Sequence, residues 1–137
     1  MRFHDIIGRW PGWQAPERED VEALIAFGEE LDSAGERLRH LLVHCHAGIS
    51  RSTAALTTLL ARHTPLGEEP AIFARIRAIR PQAWPNSRMV GFADELLGRE
   101  GRLVEALQAH YRLQAPVHPD FLEELRHNGR GAEIPGG

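Results

Sequence analysis

The stretch of sequence that decides the fold is LLVHCHAGISRSTAALTTLLA, residues 41–61. Its uninterrupted apolar run at 41–43 favours a central strand that is buried on both faces. A loop containing Cys45 follows at once, and from 52 to 61 the chain is dense in Ala, Leu and Thr, which predicts a buried helix. A strand, a glycine-containing loop and a helix in this order present backbone N–H groups to an anion. The stretch therefore predicts an anion-binding loop at a helix N-terminus.

The side chains of this loop suit attack on a phosphate monoester. A thiol at a helix N-terminus and near a guanidinium, as expected for Cys45, ionises more readily than a free thiol and is a thiolate near neutral pH. Gly48 can take the positive φ that lets successive N–H groups turn inward. Arg51 adds a planar, two-pronged donor that matches two phosphate oxygens. The Ser52 hydroxyl can hydrogen-bond the sulfur and help it to leave in a second step.

The pattern His-Cys-x-x-Gly-x-x-Arg-Ser at 44–52 resembles the phosphate loop of the protein tyrosine and dual-specificity phosphatases. The segment at 79–97 resembles the region of the dual-specificity type in which Arg-Pro leads to Pro-Asn and then a helix. Together the matches cover roughly 4–101, and they look closest to small bacterial phosphatases. The resemblance implies an α/β fold in which helices flank a small, mostly parallel central sheet. It also implies hydrolysis through a phosphocysteine, without a metal or an organic cofactor.

The resemblance assigns a role to each matching residue. Cys45 is the expected nucleophile, with Arg51 and Ser52 as its catalytic partners. The expected phosphate-binding residues are His46, Ala47, Gly48, Ile49, Ser50 and Arg51. His46 is as consistent with a solvated side chain as with one that touches the substrate. His44 and Asn86 are expected to support the loop from behind, and Asn86 also suits the N-cap of a helix. No metal site is expected at 44–46, because no further ligands follow at suitable spacing.

The general acid of such enzymes is an Asp on a loop that precedes the cysteine. Asp5 fits the order, because it ends a strand-like segment at 3–7 and precedes a loop and then a helix. Its interval to Cys45, forty residues, is longer than is usual in the family. Asp20 is closer in count but lies in the first turn of a predicted helix, where a carboxylate has a structural role. Asp32 lies too near the predicted strand, so Asp5 is the preferred candidate.

Three functions agree with this loop. The preferred one is a phosphatase that acts on a phosphorylated protein or peptide, with phosphotyrosine favoured and with phosphate, sulfate or vanadate able to occupy the loop. The second is a phosphate-loop module that binds phosphorylated ligands with weak turnover or none. The third is a phosphoinositide or RNA phosphatase. Lipid-directed members commonly carry extra Lys in the loop, whereas this chain has His46, Ala47 and Ile49 there, which argues mildly against a lipid substrate.

Composition indicates a soluble protein and limits its partners. The 137 residues suit one compact domain, and the formal net charge of -3 gives no reason to expect nucleic acid or a membrane surface as a partner. All sixteen basic residues are Arg. A single Cys excludes an intramolecular disulfide, and a lone thiol behind a polar start favours the reducing cytoplasm.

Helical periodicity extends through most of the remaining chain. It predicts helices from Pro16 to Ala34, from Glu68 to Arg80, after an N-cap at Asn86, through 103–111 and over 119–127. We expect a phosphatase-like domain over 1–114 and a C-terminal extension over 115–137, partly helical and then flexible. The family builds strands that precede the acid loop, so the chain is expected either to lack an N-terminal portion or to manage with a smaller sheet. An unpaired sheet edge would favour a homodimer.

Overall fold

A computed structural model describes residues 5, 7–8, 14–34 and 49–136. Within these ranges the chain forms six α-helices and a 3-10 turn at Gly131–Glu133. The helices are α1 (Arg18–Ala34), α2 (Arg51–Ala61), α3 (Glu69–Ile79), α4 (Ser87–Leu96), α5 (Arg102–Gln114) and α6 (Pro119–His127). Each coincides with a segment that the apolar periodicity predicts as helical, so these six predictions are confirmed.

Side-chain acceptors satisfy the N-termini of α4 and α5. Asn86 accepts a hydrogen bond from the backbone N–H of Met89 at 3.1 Å and is the N-cap of α4, as predicted. α5 begins after Gly101, whose φ of 85° lies in the left-handed region that favours glycine. Asp94 of α4 accepts from the backbone N–H of Leu103 at 2.8 Å, so one carboxylate satisfies a free donor of the next helix.

α2 is the central helix of the part of the chain that the structure describes. It packs against α1, α3 and α4, and eight of its eleven residues are buried. Its hydroxyls bond the carbonyls one turn earlier, from Thr57 to Thr53 at 2.7 Å and from Thr58 to Ala54 at 3.0 Å. These contacts satisfy the hydroxyls within the helix, so both threonines can be buried without leaving a polar atom unpaired.

The second half of the segment between α3 and α4, residues 83–86, is buried. Trp84 in this segment is 1% exposed, and its ring stacks on Tyr111 of α5 with the centroids 4.3 Å apart. Phe121 of α6 approaches the same indole edge-on, with the centroids 5.8 Å apart. Offset or edge-on aromatic pairs stabilise a core beyond the area they bury. Trp84 therefore fixes this segment against α5 and α6.

The predicted α/β fold with a small, mostly parallel central sheet is wrong for the described residues, which contain helices and no strand or sheet. The predicted strand at 41–43 lies outside the described residues. In the other predicted strand, Asp5 and Ile7 are described and neither is in a strand. The physical reason is that the apolar residues of the described ranges recur at helical spacing, so amphipathic helices form and bury their apolar faces against one another. The described residues contain no sheet edge, so they give no support to the homodimer that was expected to form through one.

The residues after α5 pack onto the helical core. Leu125 of α6 is 2% exposed and Ile134 is 6% exposed, and both belong to the same buried cluster as the apolar residues of α2 to α5. The division of the chain at residue 114 into two parts stays a prediction. Among the described residues, no helix has the length and apolar character needed to cross a membrane.

Candidate active site

The predicted phosphate loop leads directly into α2. Ser50 is the residue before the helix, and Arg51 and Ser52 are its first two residues. Ile49 and Ser50 are described, and Ser50 and Ser52 are buried, at 4% and 7% exposed. The predicted site residues His44, Cys45, His46, Ala47 and Gly48 lie outside the described residues. The structure therefore describes the carboxyl half of the loop and its attachment to the helix.

Backbone hydrogen bonds tie this half of the loop to the segment before α4. The backbone N–H of Trp84 donates to the carbonyl of Ile49 at 2.9 Å, and that of Asn86 donates to the carbonyl of Ser50 at 3.3 Å. The two segments thus run side by side at the N-terminus of α2. Because Trp84 is itself locked in the core, the loop end is attached to a rigid support.

A carboxylate lies against the loop end. Asp5 Oδ1 accepts from the hydroxyl of Ser50 at 2.7 Å and from the side-chain amide of Asn86 at 2.9 Å. Asn86 is fully buried, and its Oδ1 caps α4 at the same time. The sequence thus predicted Asp5, Ser50 and Asn86 as site residues, and the structure brings these three side chains into contact.

Arg130 completes this group from the other end of the chain. Its Nη1 donates to Asp5 Oδ2 at 3.0 Å and to the hydroxyl oxygen of Ser50 at 2.8 Å. The Ser50 hydroxyl therefore accepts from a guanidinium and donates to a carboxylate. The Arg130 side chain is 3% exposed and that of Asp5 is 31% exposed, so the cation lies inside and the carboxylate reaches the surface.

Glu133 holds Arg130 in place. It accepts from Arg130 Nε at 2.6 Å, and its other oxygen accepts from the backbone N–H of Ser87 at 2.8 Å and from the Tyr111 hydroxyl at 3.0 Å. Burial opposes the charge on Arg130, but the attraction of Glu133 and Asp5 outweighs it, so the pKa of Arg130 is raised. Burial and the Glu133 charge raise the pKa of Tyr111 well above its usual value, so this hydroxyl stays protonated and donates. Arg130 thus lies between a buried carboxylate, Glu133, and a partly exposed one, Asp5.

The other two candidate acids lie elsewhere. Asp20 accepts from the backbone N–H of Glu17 at 2.8 Å and caps the start of α1. Asp32 pairs on the surface with Arg62 at 2.8 Å and with His63 at 3.0 Å. The contact with Arg62 is the main cause that lowers the pKa of Asp32. Both carboxylates are therefore engaged in structural contacts.

Sequence reasoning missed Arg130 and Glu133. The segment RGAE at 130–133 reads as an ordinary polar turn near the chain end, and a charge pair three residues apart is typical of a solvated surface. One signal was available: Trp84 and Tyr111 carry an N–H and an O–H that need acceptors when they are buried. Their shared acceptor is Glu133, at 3.3 Å from the Trp84 indole nitrogen.

The geometry gives the start of α2 two properties that suit an anion site. A helix N-terminus attracts negative charge through its unsatisfied N–H groups, and Arg51 is the first residue of α2. The neighbouring side chains of Asp5, Ser50, Asn86 and Arg130 are joined by hydrogen bonds that hold the loop end in place. Such a site can hold an oxyanion beside a loop of fixed shape.

Comparison with known proteins agrees with the loop pattern. The sequence profile described as protein-tyrosine phosphatase matches residues 4–90. Dual specificity protein phosphatase 12 of Rattus norvegicus is 33% identical over 112 residues, and the Homo sapiens and Mus musculus proteins of that name are 32% identical. Each alignment covers 76% of this chain and 31% of the relative, so the chain spans about a third of these relatives. No solved structure gives a significant match. The chain belongs to the protein-tyrosine phosphatase family.

Proposed function

We propose that this protein is a phosphomonoester hydrolase that removes phosphate from phosphorylated proteins or peptides, with phosphotyrosine as the favoured substrate. The observation that carries the proposal is the position of the loop pattern. The motif at 44–52 ends in the first two residues of α2, where a helix N-terminus and Arg51 can hold a phosphoryl group. Family membership and the dual-specificity relatives support the same reaction class.

In the first step the Cys45 thiolate attacks the phosphorus atom. An S–P bond forms, the P–O bond to the leaving group breaks, and the leaving oxygen takes a proton from Asp5. Arg51 and the backbone N–H groups of 46–51 hold the charge on the equatorial oxygens. The product of this half-reaction is a phosphocysteine and a free alcohol or phenol.

In the second step water attacks the phosphocysteine. Asp5, now a carboxylate, takes a proton from the water as the P–O bond forms and the S–P bond breaks. The Ser52 hydroxyl donates to the departing thiolate of Cys45, and inorganic phosphate is released. His44 and Asn86 support the loop throughout, and the reaction as written needs neither metal nor organic cofactor. Because the nucleophile is a thiolate, the reaction requires a reducing compartment, which suits the cytoplasm.

The contacts of Asp5 constrain its role as an acid. Oδ1 accepts from Ser50 and Asn86, and Oδ2 accepts from Arg130. Before Oδ2 can carry a proton to a leaving group, the contact with Arg130 must open. A carboxylate that stays in this contact would support the loop and would not donate a proton. This observation favours the phosphate-loop binding module, with weak turnover or none, as the second candidate function.

Hydrolysis of p-nitrophenyl phosphate tests the proposal. The wild type should turn over, vanadate should inhibit it, and Cys45→Ser should abolish turnover because the hydroxyl is a far weaker nucleophile. Absence of wild-type turnover together with vanadate binding would favour the binding module. Turnover that survives Cys45→Ser would contradict the proposed mechanism. Phosphotyrosyl and phosphoseryl peptides, a phosphoinositide and a 5′-phosphorylated RNA then rank the substrate classes.

A further inference from the structure

We propose that Arg130 is a positioning residue for the phosphate loop, so that the segment after α6 is part of the working site. The inference rests on the proposed function, in which the loop binds the phosphoryl group of the substrate. It goes beyond that function, because the matched family profile ends at residue 90, forty residues before Arg130. A segment outside the matched region would then set the shape of the site.

The contacts of Arg130 link three parts of the chain. Nη1 reaches Asp5 at 3.0 Å and Ser50 at 2.8 Å, whereas Nε reaches Glu133 at 2.6 Å. Separate nitrogens of one planar group thus serve separate partners. A lysine has a single nitrogen on a flexible stem and cannot reproduce this fork. The side chain is 3% exposed, so solvent does little to weaken the pairs.

The consequence for the loop lies in Ser50. Its hydroxyl donates to Asp5 and accepts from Arg130, and its carbonyl accepts from the backbone N–H of Asn86 at 3.3 Å. The next residue is Arg51, the proposed phosphate-binding side chain. Fixing the hydroxyl and carbonyl of Ser50 therefore fixes the backbone from which Arg51 projects. The Ser50 carbonyl also accepts from Thr53 and from the backbone N–H of Ala54 inside α2, so removing the guanidinium would chiefly release the Ser50 hydroxyl and the Asp5 carboxylate.

The chain offers a matched control in a second buried Arg–Glu pair. Arg99 Nη1 donates to Glu69 at 3.0 Å, and the two side chains are 6% and 2% exposed. Arg99 also donates to the carbonyl of Ala61 at the end of α2, so it acts at the opposite end of that helix from Ser50. Substitution of Arg99 thus disturbs a similar buried pair without touching the loop.

The test compares Arg130→Lys with Arg99→Lys. Both variants keep the positive charge, and circular dichroism and thermal melting establish that each is folded. We expect Arg130→Lys to lower kcat/KM for p-nitrophenyl phosphate by about ten- to a hundredfold, because small misplacements at a reacting centre cost factors of this size. Vanadate should bind correspondingly more weakly to Arg130→Lys. Arg99→Lys should keep kcat/KM and vanadate affinity within about twofold.

A double-mutant cycle with Ser50→Ala separates positioning from general stability. If Arg130 acts through Ser50, the losses in kcat/KM of Arg130→Lys and Ser50→Ala will not multiply in the double variant. Fully multiplicative losses would overturn the proposal. So would a folded Arg130→Lys with wild-type kcat/KM and vanadate affinity, or failure of Arg130→Lys to fold while Arg99→Lys folds.

The role of Arg130 can also be tested by vanadate binding if the wild type has no hydrolytic activity. Calorimetric titration with vanadate then replaces kinetics, and weaker binding to Arg130→Lys than to Arg99→Lys would support the positioning role while the hydrolase proposal fails. Equal binding to both variants would overturn it. If the wild type neither hydrolyses p-nitrophenyl phosphate nor binds vanadate, both the proposed function and the role of Arg130 fail together.

Discussion

The guanidinium of Arg130 lies 3.0 Å from the carboxylate of Asp5, although 125 residues separate them in the sequence. Asp5 belongs to the segment before α1, and Arg130 follows α6. Between them lies Ser50, bonded to both. The contact joins the two ends of the chain at the start of α2, where the proposed phosphate loop ends. The proposed function depends on this junction.

Replacing Asp5 by Asn tests whether this carboxylate donates a proton. The amide keeps an oxygen that can accept from Ser50 and Asn86, but it cannot protonate a leaving group. If Asp5 is the acid, kcat should fall by about 10²- to 10⁴-fold for phenyl phosphate. The loss should be much smaller for p-nitrophenyl phosphate, whose leaving group departs without a proton. Steady-state kinetics with both esters measure the ratio, and an equal loss for the two would assign Asp5 a purely supporting role.

Two substitutions of Asn86 separate its cap from its contact with Asp5. Asn86→Asp keeps an acceptor for the Met89 N–H. It replaces the side-chain amide that donates to Asp5 at 2.9 Å by a second carboxylate, which repels Asp5. Asn86→Ala removes both contacts, and loss of the cap alone costs about 1 kcal/mol. We expect both variants to be destabilised in urea and to lose activity, with Asn86→Asp keeping the helix start. Wild-type activity in a folded Asn86→Asp would show that the contact with Asp5 is dispensable.

His110 should make the fold sensitive to acid. It is 1% exposed, its Nε2 contacts the Ala83 carbonyl at 2.8 Å and its Nδ1 contacts Arg77 at 2.9 Å. Burial, followed by the charge of Arg77, lowers the pKa of His110 from 6.5 to about 4. The unfolded chain therefore binds this proton first as the pH falls below 6.5. The contribution of neutral His110 to the stability of the fold is therefore fully present above pH 6.5 and is lost as the pH falls towards 4.

The expected loss from His110 is up to about 3 kcal/mol of unfolding free energy, since each pKa unit corresponds to about 1.4 kcal/mol. Urea titrations at several pH values measure it, and His110→Gln is the matched variant because it cannot be protonated in this range. The difference in unfolding free energy between wild type and variant should change between pH 6.5 and pH 4. A difference that stays constant across this range would contradict the assignment.

Removing one partner of the pair of Glu69 and Arg99 should destabilise the fold more than removing both. Both side chains are buried, and their contact is 3.0 Å long. Arg99→Met leaves Glu69 without its cation and should cost about 3–5 kcal/mol, whereas Glu69→Met combined with Arg99→Met should recover much of that loss. Denaturant unfolding of the three proteins checks this. A double variant no more stable than Arg99→Met would contradict the expectation that the unpaired carboxylate of Glu69 causes the loss.

The sequence was sufficient to predict the helices. Apolar spacing predicted α1, α3, α4 and α5, and the Ala, Leu and Thr content of 52–61 predicted α2. α6 begins and ends at the residues expected for a short helix, Pro119 and His127. Periodicity works here because each helix buries one face or, for α2, most of its surface. The predicted sheet was wrong for the described residues, where the apolar residues lie on helices. A short apolar run is compatible with a strand, but it does not by itself supply a pairing partner.

The site was predictable only where its residues are close in sequence or match a family pattern. The motif supplied the residues from His44 to Ser52, and the Pro-Asn signal supplied Asn86. The pairing of Asp5 with Arg130 could not be predicted, because nothing in a polar turn distinguishes a buried arginine from a solvated one. The turn is buried by tertiary packing, in which Glu133 accepts from the Trp84 indole and from the Tyr111 hydroxyl.

The most direct test of the proposed mechanism is to look for its intermediate. Protein mixed with p-nitrophenyl phosphate and quenched in acid within the first turnover can be digested and analysed by mass spectrometry. The account predicts a phosphoryl group on Cys45, formed together with a burst of p-nitrophenol and absent from Cys45→Ser. Steady turnover without a phosphoryl group on Cys45, and undiminished in Cys45→Ser, would contradict it.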